Sequence, residues 1–227
     1  MINSSKYMIN FLVLCFSLAI LLLSSIESLA KPTYPIEDGQ DWGSMQFKIR
    51  LIDDLDLELG QELRYNQYGS NFNQSISEFG LAYKYQKLKF SIFYRYRYNS
   101  DEQDEQDEFN FSVNYKPFSK KIILAYRSRF QFRFRDNEEN INNFRNKLTF
   151  GYKISDYLQP YLASELYYRF MSEDGDRISQ ARFEVGNNFE LTRNIDLELY
   201  FMREQEYNRN KPIHSNILGF NLSIRLL

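Results

Sequence analysis

The chain has 227 residues with 28 Lys+Arg against 30 Asp+Glu, one His and one Cys. A net charge of −2 gives no bulk attraction to nucleic acid. A mean hydropathy of −0.54 with a single long apolar run excludes a bundle of membrane helices, while 18 Tyr and 20 Phe are too many for a disordered polar chain. The first stretch carries Lys6, then an apolar run from Met8 to Leu23, then a polar segment in which Ser28 and Ala30 are the small residues a signal peptidase reads. This is the pattern of a secretory signal peptide over residues 1–30. Cleavage after Ala30 leaves 197 residues, removes Lys6 and Glu27 together and so keeps the charge at −2, and takes away Cys15. No disulfide framework or thiolate metal site follows, and no cofactor is implied. An exported, aromatic-rich, cysteine-free chain points to β-structure in the envelope of a bacterium with two membranes.

Beyond a segment at 31–41, taken as periplasmic or threaded into a lumen, residues 42–227 alternate. Leu55, Leu57, Leu59, Leu63 and Tyr65 share one parity; Asp56, Glu58, Gly60, Glu62 and Arg64 share the other. Leu88, Phe90, Ile92, Tyr94, Tyr96 and Tyr98 alternate with Lys87, Lys89, Ser91, Arg95 and Arg97. Ile122, Leu124, Tyr126, Phe130, Phe132 and Phe134 alternate with Lys121, Arg127, Arg129, Gln131, Arg133 and Arg135. Side chains two apart share a strand face, so each ribbon is oily on one side and charged on the other. Eleven such segments begin near Met45, Leu55, Ser77, Lys87, Phe109, Lys121, Phe144, Tyr157, Ala181, Ile195 and Ile217. Short turns (Asp53-Asp54, Gln86-Lys87, Lys116 to Lys120, Ser155-Asp156, Thr192 to Asn194) alternate with longer polar loops at 66–74, 100–108, 136–143, 172–179 and 208–215. That is the pattern of an all-β, up-and-down antiparallel barrel of the outer membrane. A soluble sandwich or lipocalin-like barrel would turn the oily face inward; the length of the segments, the dense charge and the aromatic segment ends weigh against it. Bacterial single-chain barrels have even strand numbers, so twelve strands are expected, with the extra one in Lys31 to Trp42; ten is the alternative.

In a closed barrel the charged parity lines the lumen. One basic wall is expected from Lys87, Lys89, Arg95, Arg97, Arg127, Arg129, Arg133, Arg135, Arg145 and Lys147, with Lys121 and Lys153 in addition. An acidic wall is expected from Asp56, Glu58, Glu62, Asp196, Glu198, Glu204 and Glu206. Such a lumen is either a narrow channel for small anionic solutes or a closed bore filled by ion pairs. Gly60, Gly80, Gly151, Gly186 and Gly219 share the lumen parity, relieving crowding or widening a pore. The acidic run Asp101 to Glu108 is a solvated outer loop or a site for divalent cations shared with lipopolysaccharide. His214 beside Ser215 raises a lipid hydrolase as a third class, but neighbours on an extended chain point apart, so no enzyme is expected. One histidine and no mature cysteine give no metal site. Trp42 reads as an interface anchor.

The stretches Asp41-Trp42-Gly43, Leu59 to Tyr65, Tyr94-Arg-Tyr-Arg-Tyr98, Asn146 to Tyr152, Gln159 to Tyr167 and Arg182 to Gly186, with His214 near the end, resemble the uncharacterised bacterial barrel family filed as domain of unknown function 2490, over about Trp42 to Leu227. The resemblance implies an outer-membrane barrel and no assigned activity. The basic ladder is more distantly similar to the twelve-stranded acidic-oligosaccharide porins. The chain ends Ile-Arg-Leu-Leu rather than in an aromatic residue, so contact with the barrel insertion machinery is expected through Phe220, Leu222, Ile224 and Leu226. The other expected partners are outer-membrane lipid, lipopolysaccharide and small anions, and no nucleic acid.

Overall fold

The computed structural model describes residues 36–226 apart from 102, 137, 156 and 210. The signal peptide assigned to residues 1–30, and residues 31–35 after it, lie outside the described residues. The strands are β1 (Ile36–Ile52), β2 (Leu55–Asn66), β3 (Asn71–Tyr85), β4 (Leu88–Asn99), β5 (Asp104–Ser119), β6 (Ile122–Arg135), β7 (Ile141–Tyr152), β8 (Leu158–Arg169), β9 (Arg177–Thr192), β10 (Ile195–Glu206) and β11 (Ile213–Leu226). Each pairs antiparallel with its neighbour in sequence, and β1 closes on β11 in parallel, from Ile36 opposite Ile213 to Ile49 opposite Leu226. The barrel has eleven strands, neither twelve nor ten. Among the described residues no strand precedes β1: Ile36 to Asp41, expected outside the barrel, form the first part of β1 itself.

The alternation places the two faces. Phe79, Leu81, Phe90, Ile92, Phe109, Phe111, Phe130, Phe134, Leu199, Phe201 and Phe220 are exposed on the outside. Asp56, Glu58, Arg97, Glu108, Asn110, Arg129, Gln131, Arg145 and Glu165 are buried inside. A soluble barrel would have the opposite arrangement. Aromatic rings meet across neighbouring strands on the outer face, Phe130 with Phe144 at 4.7 Å and Tyr94 with Phe109 at 5.4 Å between centroids; such cross-strand pairs stabilise a sheet face.

The turns at Asp53-Asp54, Gln86-Lys87 and Arg193-Asn194 are two residues long, and Asp54 and Gln86 take the positive φ that tight hairpins demand (64° and 53°). Lys87, assigned above to the lumen, sits in such a turn and is exposed. On the opposite rim the connections are shorter than the sequence suggests, because β3, β5, β7, β9 and β11 each begin three to six residues earlier than the oily alternation does. Five of the eight residues of the acidic run are therefore strand: β5 starts at Asp104.

Candidate functional site

The interior of the barrel is held by ion pairs that jump between strands. Glu108, from β5, has no exposed surface. Its carboxylate accepts from Asn110 Nδ2 (2.7 Å), Gln131 Nε2 (2.6 Å), Arg133 Nε (3.0 Å) and Arg97 Nη2 (3.4 Å), with Arg95 Nη1 at 3.8 Å. Glu165, from β8, takes a forked pair of bonds from Arg145 (3.2 and 3.0 Å) and one from Arg127 (2.8 Å). Lys147 reaches both oxygens of Glu184, Arg95 donates to Glu78, and Arg182 donates to Glu204 (2.6 Å). Nearer the short turns, Lys84 meets Asp56 (2.6 Å), Lys89 meets Glu58 (2.5 Å) and Arg225 meets Asp196 (2.7 Å). Such charge-assisted bonds are the strong class, and a buried charge is tolerated where it is paired in this way.

The two opposed walls are thus corrected. Apart from Lys87, Lys121 and Lys153, which lie outside the strands, the basic strands carry the cations assigned to them, but β3, β5, β8 and β9 interleave Glu78, Glu108, Glu165 and Glu184 among them. Glu108 ends the acidic run that reads as an outer loop in the sequence. The signal for it is the parity of Asn110 and Ser112, which continues back through Glu108 to Gln106 on the inner face. Glu62 pairs with Arg64 (2.5 Å), Glu204 with Arg182, and Glu206 with Arg209 (2.6 Å) at the mouth. Glu198 meets the hydroxyl of Tyr161 at 2.6 Å, and that hydroxyl also lies 2.7 Å from Glu184.

Trp42 is not an interface anchor. It faces the lumen, 6% exposed, packed with Met202 and Ile217. Its indole N–H donates to Gln40 Oε1 (2.8 Å), and the guanidinium of Arg64 stands 3.6 Å above the ring, with that of Arg182 at 5.3 Å, the geometry of cation–π attraction. Arg145 and Arg182 cover Tyr167 at 4.3 and 4.9 Å.

These groups surround a cavity of about 600 Å³ inside the barrel. Twelve arginines and Lys147 line it against six glutamates. Arg135, Arg169 and Arg177 extend the basic lining to the long-loop rim, where Glu138, Glu139 and Asp174 meet them. Glu139 also accepts the backbone N–H of Glu173 (2.7 Å). That bond and the nearby Arg169 hold its carboxyl below the ordinary glutamate range, so the link between these two loops stays charged at neutral pH. Among the lining cations, Arg129 alone meets no carboxylate among the described residues.

Ser215 and His214 do not form a catalytic pair. Ser215 is buried on the inner side of β11, where Gln40 Nε2 donates to it at 3.3 Å. His214 is on the other face, its Nδ1 3.4 Å from Arg203 and 3.7 Å from Glu37. Among the described residues no group of three or more His, Cys, Asp or Glu side chains could hold a metal ion.

Closed strand order, outward apolar side chains and an ion-paired lumen define the molecule as a β-barrel with a polar interior. The chain belongs to the family of proteins of unknown function DUF2490, whose model matches residues 39–214. None of the curated proteins matches it. Among solved structures, a bacterial polysaccharide outer membrane secretin is similar over 74% of this chain and 73% of its own, with 9% identity and a TM-score of 0.49.

Proposed function

We propose that the protein is exported, inserts in the bacterial outer membrane as a barrel, and admits small anionic solutes to its lumen. It carries out no catalysis in this reading. The observation that carries the proposal is the exchange of faces: Phe, Leu and Tyr lie outside, while a cavity with more cations than anions lies within. A closed barrel leaves no strand edge and satisfies its backbone in hydrocarbon, so an oily exterior suits lipid. The lumen's positive excess favours anions over cations. The companions of such a barrel are lipid, lipopolysaccharide and the insertion machinery, which would meet the outer side of β11.

A second reading is a closed barrel with an interaction role. The cross-strand bonds of Glu108 and Glu165 favour it, since each ties two or three arginines into a fixed network. Planar-bilayer recording separates the two. The channel reading expects small conductance steps whose reversal potential in a salt gradient reports anion preference. The double variant Arg127→Ala with Arg129→Ala should move that potential toward the unselective value. No conductance above background would eliminate the channel and leave the closed barrel. Recovery of the protein in the soluble periplasmic fraction would remove both.

A further inference from the structure

Arg129 is 8% exposed, lines the cavity, and has a buried Nε without a hydrogen-bond partner. The charged groups acting most strongly on it are Arg127, Arg145 and Arg95, followed by the carboxylate of Glu78, and Glu78 already accepts from Arg95. In the sheet register Arg129 stands directly opposite Arg145, and Arg127 opposite Lys147. Like charges placed opposite one another destabilise a strand pair, and here two such pairs are adjacent. The nearby carboxylates Glu165 and Glu184 neutralise two of these four cations, which leaves two positive charges in the middle of the inner wall. Arg127 also keeps a buried, unbonded Nε.

From this geometry we infer that the cavity contains a binding site for a phosphate-class dianion, centred on Arg129 with Arg127 and Arg145 beside it. The inference rests on the lumen being reachable by anions, as proposed above. A doubly charged oxyanion matches the local excess of two, and a guanidinium presents its N–H groups as a fork suited to phosphate oxygens. A cavity of about 600 Å³ lies within the size of small-ligand sites, so the phosphate could be free or attached to a small sugar. A buried guanidinium without a counter-charge is costly, and the ligand supplies that counter-charge.

The test uses the full-length protein folded in detergent, at constant ionic strength. Thermal unfolding and calorimetric titration are run with inorganic phosphate, with a hexose phosphate, and with chloride alone. Phosphate is expected to raise the unfolding temperature of the wild type and chloride is not. Stronger binding of the hexose phosphate than of inorganic phosphate would identify a phosphorylated solute as the ligand; the reverse would identify the free ion. Arg129→Gln should weaken phosphate binding by about tenfold or more, while raising stability in its absence because a like-charge contact is gone. Arg129→Lys, which keeps the charge but not the fork, should fall between. Arg203→Gln, on the outer face, should bind as the wild type does. Equal phosphate effects in wild type and Arg129→Gln, or no effect in either, overturns the site. Bilayer conductance on the same preparations is independent: phosphate binding without conductance rejects the channel and keeps the site, and anion conductance with no phosphate effect does the reverse.

Discussion

Glu108 holds together more of the interior than any other carboxylate described here, and composition alone conceals it. It ends the run Asp-Glu-Gln-Asp-Glu-Gln-Asp-Glu, which has the character of a solvated loop. The strand assigns its members to opposite faces: Gln106 and Glu108 are buried inside, while Asp107 accepts from the hydroxyl of Tyr94 outside. An acidic side chain therefore carries no information about its environment until parity is extended through it. The same holds for Arg129, whose isolation depends on which residues β3 and β8 bring near it. Removing Glu108 strands the guanidiniums of Arg97 and Arg133, while Arg95 keeps its bond to Glu78. Breaking a buried charge network from one side costs about 3–5 kcal/mol. Glu108→Ala should lose stability on that scale in urea unfolding of the detergent-folded protein. Glu108→Gln, whose one amide oxygen can still accept from either Asn110 or Gln131, should lose less. A loss under about 1 kcal/mol, the level of an exposed pair, would show that water already screens the network.

Along the strands, small and aromatic residues alternate in one inner row. Gly151, Tyr161, Gly186, Tyr200, Gly219 and Trp42 follow one another through the registers of β7, β8, β9, β10, β11 and β1. Phe93 lies opposite Gly80 in the same way on β4 and β3. The rings of Tyr161, Tyr200 and Phe93 lie over Gly186, Gly219 and Gly80 on the next strand, a packing that screens the bare backbone and permits the curvature of a small barrel. Shared parity of the glycines is visible in the sequence, but their pairing with rings is not, because it depends on registers set by turns and bulges. Likewise, the oily alternation locates the middle of every strand and misses the long-loop ends, where both faces are polar and the period of two vanishes. The glycines differ in what confines them. A Cβ on Gly219 would meet ring atoms of Tyr200, the nearest at 2.1 Å, whereas one on Gly80 would also meet the backbone carbonyl of Ile92 at 2.4 Å. Overpacking costs about 1–3 kcal/mol. Gly219→Ala should therefore be rescued by Tyr200→Ala in a double-mutant cycle. Gly80→Ala should stay destabilising in the Phe93→Ala background. Equal rescue at both positions would contradict the backbone contact.

The strand count raises a question of closure. Eleven alternating segments can be read directly, and the expectation of a twelfth comes from the even numbers of bacterial barrels rather than from any residue. An odd number forces the first and last strands to run the same way. Parallel pairing is only slightly less stable per residue than antiparallel, so hydrogen bonding itself does not forbid that seam. Here fourteen residues of β1 take register against β11, and the same strand pairs antiparallel with β2 on its other side. Residues 36–41, which lack the oily alternation, are thereby used as strand. One consequence is that Ile36 and Leu226 lie at opposite rims, which an even barrel would not allow. The seam can be trapped chemically. Ser44 and Asn221 are register partners and both line the cavity. Neighbouring strands lie about 4.8 Å apart, within the Cα separation of about 4.4–6.8 Å that a disulfide spans. In a Cys15→Ser background, Ser44→Cys with Asn221→Cys should cross-link on mild oxidation of the folded protein, seen as a shift on non-reducing electrophoresis and as the joined peptide by mass. The displaced pair Ser44→Cys with Ser223→Cys should not. If a further strand stood between β1 and β11, the first pair would be about 10 Å apart, beyond the reach of any disulfide, and would stay reduced.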